Sequence, residues 1–321
     1  MSWLSRLIGS TPQADIKPEL PRPAKQARIE LDDYGSRIVH IRAIDMMGQS
    51  AKSPNGRFVL VWQGGNLSDD GKGRAGRYVL IEDGMLVVDG AMERPQDGLV
   101  TDRGVFVLND WSWRGDLCGT FHAFRPDGSE IIARDFTANL YNNGLSPDGR
   151  LAVCQTCNAP GSPDSSILAV FDLVEGREIA EWSAESGWAE GYEFPVGGQR
   201  IRMLRRDRAA IDYSLQGEFI DRRKWYSDEV ARGTFHVLKK ALEAGEEVTG
   251  LSLRDLRRGA IAALADSDDR FRADVLRLAG EIEEQAGDDR AALAHYEAAL
   301  VANPKVGVAK RAAALRGALA R

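Results

Sequence analysis

Two copies of one turn constrain this chain more than anything else in it. Ser53-Pro54-Asn55-Gly56-Arg57 and Ser146-Pro147-Asp148-Gly149-Arg150 stand 93 residues apart, and each runs straight into an apolar stretch, Phe58-Val59-Leu60-Val61 or Leu151-Ala152-Val153. Proline presets the first φ, Asn or Asp bonds the backbone beside it, and glycine accepts a positive φ before a strand begins. A third unit lies between them at Arg103-Gly104-Val105-Phe106-Val107-Leu108, and a weaker fourth follows at Gly198-Gln199-Arg200-Ile201. Their glycines, Gly56, Gly104, Gly149 and Gly198, are spaced by 48, 45 and 49 residues. A second series, Gly84, Gly128, Gly176 and Gly217, ends strands at Tyr78–Ile81, Phe121–Phe124, Leu168–Phe171 and Ala210–Tyr213, and an outer strand follows each turn. Each unit therefore carries at least three strands and a leading segment, the mark of a structural repeat.

Units of this length opened by Ser-Pro-Asp-Gly-Arg resemble the bacterial WD40-like and TolB-like blades of the β-propeller superfamily, over about three fifths of the chain. No Gly-His and Trp-Asp pair recurs where a strict WD-repeat protein would place it. The resemblance implies a small β-propeller of four to five blades. Ile29-Glu30-Leu31 and Ile38-Val39-His40-Ile41 supply strand material ahead of the first clear unit, for a fifth blade or for closing the ring.

From about residue 229 the pattern changes to helical spacing. Phe235, Leu238 and Leu242 mark one helix, Leu253, Leu256, Ala260 and Leu264 a second with a capping box at Ser252 and Asp255, and Phe271, Val275, Leu278 and Ile282 a third that ends at Gly287. Counted back from Pro304, Leu276, Ala279, Gly280, Ala292, Tyr296 and Ala299 fall where a tetratricopeptide repeat has its small and aromatic positions, and that family resemblance covers the last fifty or so residues. Glu283 departs from it, since the family usually places an aromatic there. The resemblance implies a helical hairpin with Gly280 facing Ala299, Ala292 at the close crossing, and Tyr296 and Leu276 on its flanks. The expected organisation is mainly β, then α: an N-terminal segment and Pro-rich linker over 1–26, a β-propeller over 27–228, and a helical, tetratricopeptide-like domain over 229–321.

Composition bounds the function. With 321 residues, net charge −6 and a pI near 5.4, the chain lacks the basic balance of a general nucleic-acid binder. No apolar run approaches the roughly 20 residues of a membrane span, and the first nine residues are too short and polar for a secretory signal, so a cytoplasmic protein is expected. Trp3, Leu4, Leu7 and Ile8 could form one apolar helical face, for docking on the rest of the chain or for contact with a partner or membrane surface.

Signatures of covalent chemistry are thin. There is no Gly-x-Ser-x-Gly elbow, phosphate loop or zinc-protease helix, and the four histidines, His40, His122, His236 and His295, are scattered. Cys154 and Cys157 form a C-x-x-C, with Cys118 and His122 one unit earlier, but a continuous strand would point the pair to opposite faces. Buried structural thiols, a metal site and a redox pair are the readings open to them; no cofactor or metal is expected. The strands opened by the repeated turns end in Trp62-Gln63, Asn109-Asp110-Trp111-Ser112-Trp113 and Gln155-Thr156. Trp62, Asp110, Trp111, Trp113 and Gln155 are thus the candidate binding residues, as aromatics beside amides and carboxylates suit an interface centre, although the indoles could equally fill the space between blades. Arg200, Arg202, Arg205, Arg206 and Arg208 form a basic stretch, followed by Arg222, Arg223 and Lys224; they could be a solvated face, an ion-pair lattice or a site for an anion such as RNA. The function expected is a non-catalytic protein-binding or assembly scaffold, using the loop face of the propeller and the helical hairpin, with another protein or peptide as partner. The alternative is a lactonase-like propeller hydrolase or a metal-binding protein.

Overall fold

The computed structural model describes residues 28–35, 37–67, 73–112 and 117–321; the apolar face at Trp3, Leu4, Leu7 and Ile8 and the Pro-rich linker lie outside them. The chain first builds β1 (Leu31–Asp33), β2 (Ile38–Ile41), β3 (Met46–Lys52) and β4 (Phe58–Gln63), then a small ribbon of β5 (Asn66–Leu67) and β6 (Gly73–Arg74), then β7 (Gly76–Glu82) and β8 (Met85–Met92). Apart from the ribbon these form one antiparallel sheet in the order β1-β2-β3-β4-β7-β8. A second sheet holds β9 (Pro95–Val100), β10 (Phe106–Trp111), β11 (Gly119–Phe124) and β12 (Glu130–Phe136). A third holds β13 (Leu140–Leu145), β14 (Leu151–Thr156), β15 (Ile167–Asp172) and β16 (Arg177–Ser183), and a fourth β17 (Gly191–Glu193), β18 (Arg200–Leu204) and β19 (Ile211–Ser214). Four consecutive antiparallel sheets packed face to face give a propeller-like β region.

The two pentapeptides fold by the same hydrogen bonds. Ser53 Oγ donates to Asn55 Oδ1 at 2.8 Å and accepts from the Phe58 amide at 3.0 Å; Ser146 Oγ donates to Asp148 Oδ1 at 2.7 Å and accepts from the Leu151 amide at 2.9 Å. Gly56 and Gly149 take φ of 72° and 71°, where only glycine is unstrained. These turns join the first and second strands of their units; β9 and β13 are edge strands of their sheets, whereas β3 has β2 on its far side.

Apolar runs arise because the sheets are covered on both faces. Leu60, Trp62, Tyr78 and Leu80 pack between the first and second sheets, while Val59, Val61, Val79 and Ile81 point the other way onto Val39 and Ile41. Along β14, Ala152 and Cys154 pack toward the second sheet and Val153 toward the fourth. β1 and β2 therefore extend and cover the first sheet itself; they do not make a separate sheet.

The fourth unit departs from the expected pattern. Phe219, expected in an outer strand, makes a single bridge to Tyr213. The chain then turns into α1 (Arg222–Ala231), followed by α2 (Phe235–Thr249), α3 (Leu253–Asp266), α4 (Arg272–Gln285), α5 (Asp289–Ala302) and α6 (Ala309–Leu319). Residues 222–226, read from sequence as part of the last β unit, thus open the first helix. The capping box at Ser252 and Asp255 forms as expected. One core runs from Leu168 and Val170 through Ile201, Met203, Tyr213 and Phe219 to Trp225, Val230, Leu238, Leu256 and Ile282, so the last two sheets and the helices share their buried surface.

Polar contacts seal the same junction. Glu229 of α1, 2 % exposed in its side chain, accepts from Arg205 at 2.6 Å, from Arg208, and from Thr234 Oγ1 at 2.8 Å. The other arginines of the basic stretch are paired as well: Arg200 and Arg202 hold Asp212, Arg206 holds Glu190, and Arg222 holds Glu185. Glu229 is the one helical carboxylate among these partners; the others belong to the β region, and the Arg200 and Arg206 side chains stay exposed. Burial works to raise the Glu229 pKa, but the hydrogen bonds from Arg208, Arg205 and Thr234 outweigh it and hold the carboxyl below the ordinary range.

In the α4–α5 hairpin, Ala292, Tyr296 and Ala299 are fully buried. Gly280 meets Tyr296 there: a Cβ at 280 would stand 2.4 Å from the tyrosine ring. The glycine makes room for an aromatic ring, whose hydroxyl donates to Glu284 Oε2 at 2.7 Å. Glu283 is held by Arg257 of α3, Nε to Oε2 at 2.8 Å.

Two outcomes follow for stability. Because the folded-state pKa of Glu229 is depressed, its contribution is complete above the ordinary Glu value of about 4.3 and is lost as pH falls through the lower folded value. Glu229→Gln should lower the denaturant-derived stability at pH 7 by up to about 3 kcal/mol, less than the roughly 3–5 for a fully buried pair because Arg208 stays partly open to solvent; the variant should also lose less stability than the parent between neutral pH and pH 3. Gly280→Ala should destabilise by about 1–3 kcal/mol through overpacking on Tyr296, whereas Gly317→Ala, where an added Cβ meets nothing within 4 Å, should stabilise by roughly 0.5–1 kcal/mol. Thermal melts of the full chain compare the two.

Candidate functional site

The strands ahead of the turns, β3, β9 and β13, converge on one cavity of about 310 Å³, lined by Arg37, Gln49, Trp62, Asp97, Gly98, Leu99, Asn142, Asn143 and Glu190. Two irregularities deliver these side chains. The β9–β10 register shifts between Val107 and Asn109, and the β13–β14 register shifts between Leu140 and Asn142, so Asp97-Gly98 and Tyr141 are bulged out of their ladders. Bulges of this kind re-aim side chains at the rims of sites. Gly98 is required at its bulge, because a Cβ there would stand 2.6 Å from the Trp62 ring and 2.9 Å from Leu60 Cδ2.

A buried polar network stands behind the cavity wall. Asn109, wholly buried on β10, donates from Nδ2 to Asp97 Oδ2 at 3.3 Å, and its Oδ1 accepts from Asn143 Nδ2 at 3.0 Å. Asn143 Nδ2 also donates to the Asp97 carbonyl at 2.8 Å, while its Oδ1 is buried without a partner, as is Trp62 Nε1. Asp97 opens onto the cavity, yet the surrounding protein desolvates it and raises its carboxyl pKa, with only the Asn109 bond opposing. Asn142 is fully committed, donating to the Ala189 carbonyl at 2.7 Å and accepting from Tyr192 at 2.9 Å. None of Gln49, Asp97, Asn142 or Asn143 was singled out from sequence. A signal existed: Gln49, Asp97 and Asn142 each stand four residues before the first residue of their unit's turn, Ser53, Thr101 and Ser146.

The residues that were singled out scatter. Trp62 is 4 % exposed, packed between the first two sheets, and touches the axial cavity from the side. Asp110 and Trp111 come together in a second cavity of about 320 Å³, at the end of β10, with Glu93, Ser112, Cys118, Thr120, Asp135 and Phe136. Asp110 accepts from the backbone amides of Glu93 at 3.0 Å and Arg94 at 2.6 Å; burial raises its pKa above the ordinary range despite those bonds. The Arg94 guanidinium sits 5.4 Å from the Trp111 ring centre. Trp113 lies outside the described residues. Gln155 is 1 % exposed and ties the 187–189 loop inward: Nε2 donates to the Gly187 carbonyl at 3.1 Å, and Oε1 accepts from the Ala189 amide at 2.9 Å and from Tyr192 at 3.0 Å.

The cysteines are all free thiols. Cys154 is buried in the core between the second and third sheets, and burial pushes its pKa well up; Cys157 is raised by burial as well. Both shifts oppose the thiolate that metal binding or redox exchange needs. Among the described residues no group of three or more His, Cys, Asp or Glu is placed to hold a metal ion, and no helix is long and apolar enough to cross a membrane.

No protein-family model and no curated protein matches the chain. Among solved structures, Hsv2 of Kluyvelomyces marxianus is similar at 12% sequence identity with a TM-score of 0.37, over 62% of this chain and 60% of that one. This chain thus spans less than two thirds of that structure, and a likeness of this degree says nothing of ligand or partner.

Replacing Gln155 by Leu should strand the Gly187 carbonyl and the Ala189 amide at about 1–3 kcal/mol for each group left unpaired, while the Tyr192 hydroxyl keeps Asn142 Oδ1 as its acceptor. Urea denaturation should show a drop of at least that size. An unchanged midpoint would mean that Gln155 is free for other duty.

Proposed function

We propose that this chain is a non-catalytic binding and assembly protein that presents two surfaces in fixed relation: the loop end of the β region around Asp110, Trp111 and Trp113, and the helical unit. The observation that carries the proposal is the core shared by the last two sheets and the helices, reinforced by Glu229 and its arginines. A rigid junction of that kind has little purpose in two independent modules and suits a protein that holds partners at a set geometry. Within this reading the β region is a four-bladed propeller whose first blade is finished by β1 and β2. The α4–α5 hairpin is its tetratricopeptide-like element, with Gly280 against Tyr296. The partner is another protein or peptide, met through Trp111 and the Arg94 guanidinium stacked on it. The free thiols agree with a cytoplasmic setting.

A hydrolase is the second reading, favoured by one observation: Glu93, Asp110 and Asp135 surround the cavity at the end of β10, and Asp110 has a raised pKa. Affinity purification from native lysate, followed by binding with purified components, separates the two. The proposal expects a protein partner retained by the full chain and lost at least tenfold, about 1.4 kcal/mol, on Trp111→Ala, with thermal melts showing that the variant, which also loses packing against the core, is still folded. Turnover of an ester or lactone library that is abolished by Asp110→Asn, with no partner retained, would replace it with the hydrolase.

A further inference from the structure

We infer that the axial cavity is a site for a small zwitterion of the α-amino-acid class, with Arg37 receiving the carboxylate and Asp97 the ammonium. This goes beyond the assembly role, which uses other surfaces. The cavity holds two opposite charges that nothing among the described residues neutralises. Arg37 makes no side-chain hydrogen bond or ion pair among the described residues, and the only side-chain partner of Asp97 is the neutral amide of Asn109, on Oδ2. The two are not paired with each other either, so they stand more than 4.0 Å apart while lining one space of about 310 Å³. The third charge on the wall, Glu190, is already held by Arg206 at 2.8 Å. A cation and an anion that have no ionic partner among the described residues, across a small cavity, match a molecule that carries both charges a few ångströms apart.

The backbone supplies an independent reason to regard these two residues as placed. Arg37 and Asp97 both adopt the left-handed conformation, with φ of 64° and 51°, a region that side-chain-bearing residues enter at a cost and that clusters at ligand sites. Each is held there. The Arg37 carbonyl accepts from the Ser50 amide at 2.7 Å and from Ser50 Oγ at 3.1 Å, and the Asp97 carbonyl accepts from Asn143 Nδ2 at 2.8 Å. Other lining groups complete the fit: the exposed Gln49 amide is uncommitted among the described residues, Asn143 carries an orphan acceptor, and Leu99 with Trp62 offers an apolar wall for a side chain. The volume sits at the lower bound of small-molecule sites, roughly 300–1,000 Å³, which suits a single amino acid and excludes a long peptide.

The test is calorimetric titration of the full chain with each common free L-amino acid. The best binder is then compared with its N-acetyl derivative, which lacks the ammonium, with its amide, which lacks the carboxylate, and with glucose as a neutral polar probe. Expected are saturable binding of at least one free amino acid and a loss of about tenfold or more for either capped form. Asp97→Asn, which keeps a residue tolerant of its backbone conformation, should weaken the free amino acid and leave the N-acetyl form unaffected. Arg37→Gln should weaken the free amino acid and spare the amide. Thermal melts establish that both variants fold. The inference is overturned if no free amino acid binds at millimolar concentration, if capped and free forms bind alike, if glucose binds in their place, or if folded Asp97→Asn and Arg37→Gln bind as the parent does.

Discussion

A row of five aromatic rings fastens the β half of this chain to its helices, and the rest of the architecture depends on it. Trp182 of the third sheet lies 6.0 Å from Tyr213 of the fourth, Tyr213 stacks on Phe219 at 4.3 Å, Phe219 meets Trp225 at 5.6 Å, and Trp225 meets Tyr226 edge-on at 4.8 Å. The fourth sheet stops at three strands because Phe219 leaves the ladder after one bridge and joins this row. An outermost strand would have turned the side chains of 222–226 to solvent; a helix instead carries Trp225 and Tyr226 into the core, where each such ring contributes several kcal/mol by burial. Gly217 makes the row possible from the other side, since a Cβ there would stand 2.7 Å from the Trp182 indole. The helices cover the fourth sheet, whereas the first sheet is extended by β1 and β2 and ends on β1.

Much of this was legible, and for a local reason. A turn such as Ser53–Arg57 is determined by hydrogen bonds among five consecutive residues, so the same letters gave the same geometry at Ser146–Arg150. The helices α2 to α5 were legible because their apolar residues recur at helical spacing, and the Ser252–Asp255 box is again local. What failed was decided by distant contacts. Residues 222–226 read as a basic tail to a strand because nothing local marks a helix start there, Asp221 making no side-chain cap; only the aromatic row and Glu229 fix α1. That the space at Gly280 is filled by the Tyr296 ring is likewise set by how α4 and α5 pack and not by any local signal.

The candidate site divides the same way. Apolar runs and tryptophans drew attention to β4, β10 and β14, which supply the buried middle of each unit, so that Trp62 and Gln155 proved to be internal. The strands ahead of the turns, β3, β9 and β13, mix polar and small residues with few apolar ones, and β9 and β13 are bulged. They carry no period for a sequence reading to follow, and their bulges break what alternation there is. Asp110 and Trp111 escaped this fate because they stand at the end of β10, where the ladder opens into a cavity.

Repetition itself separates structural from chemical positions. The turn glycines recur in every unit because the chain cannot reverse there otherwise, so their identity says nothing about ligand. Four residues ahead of the turn the same slot holds Gln49, Asp97 and Asn142, three different polar groups on three equivalent strands. The fold uses them unequally: Asn142 bonds the Ala189 carbonyl and the Tyr192 hydroxyl, Gln49 makes no side-chain bond among the described residues, and Asp97 is bulged out of its ladder. A carboxylate kept there against desolvation, on a backbone held at positive φ, is a net loss for the fold unless something enters the cavity to meet it. On the inference of an axial ligand, the three different polar groups that the repeats place on equivalent strands are what would select it, apart from any partner met at the loop end.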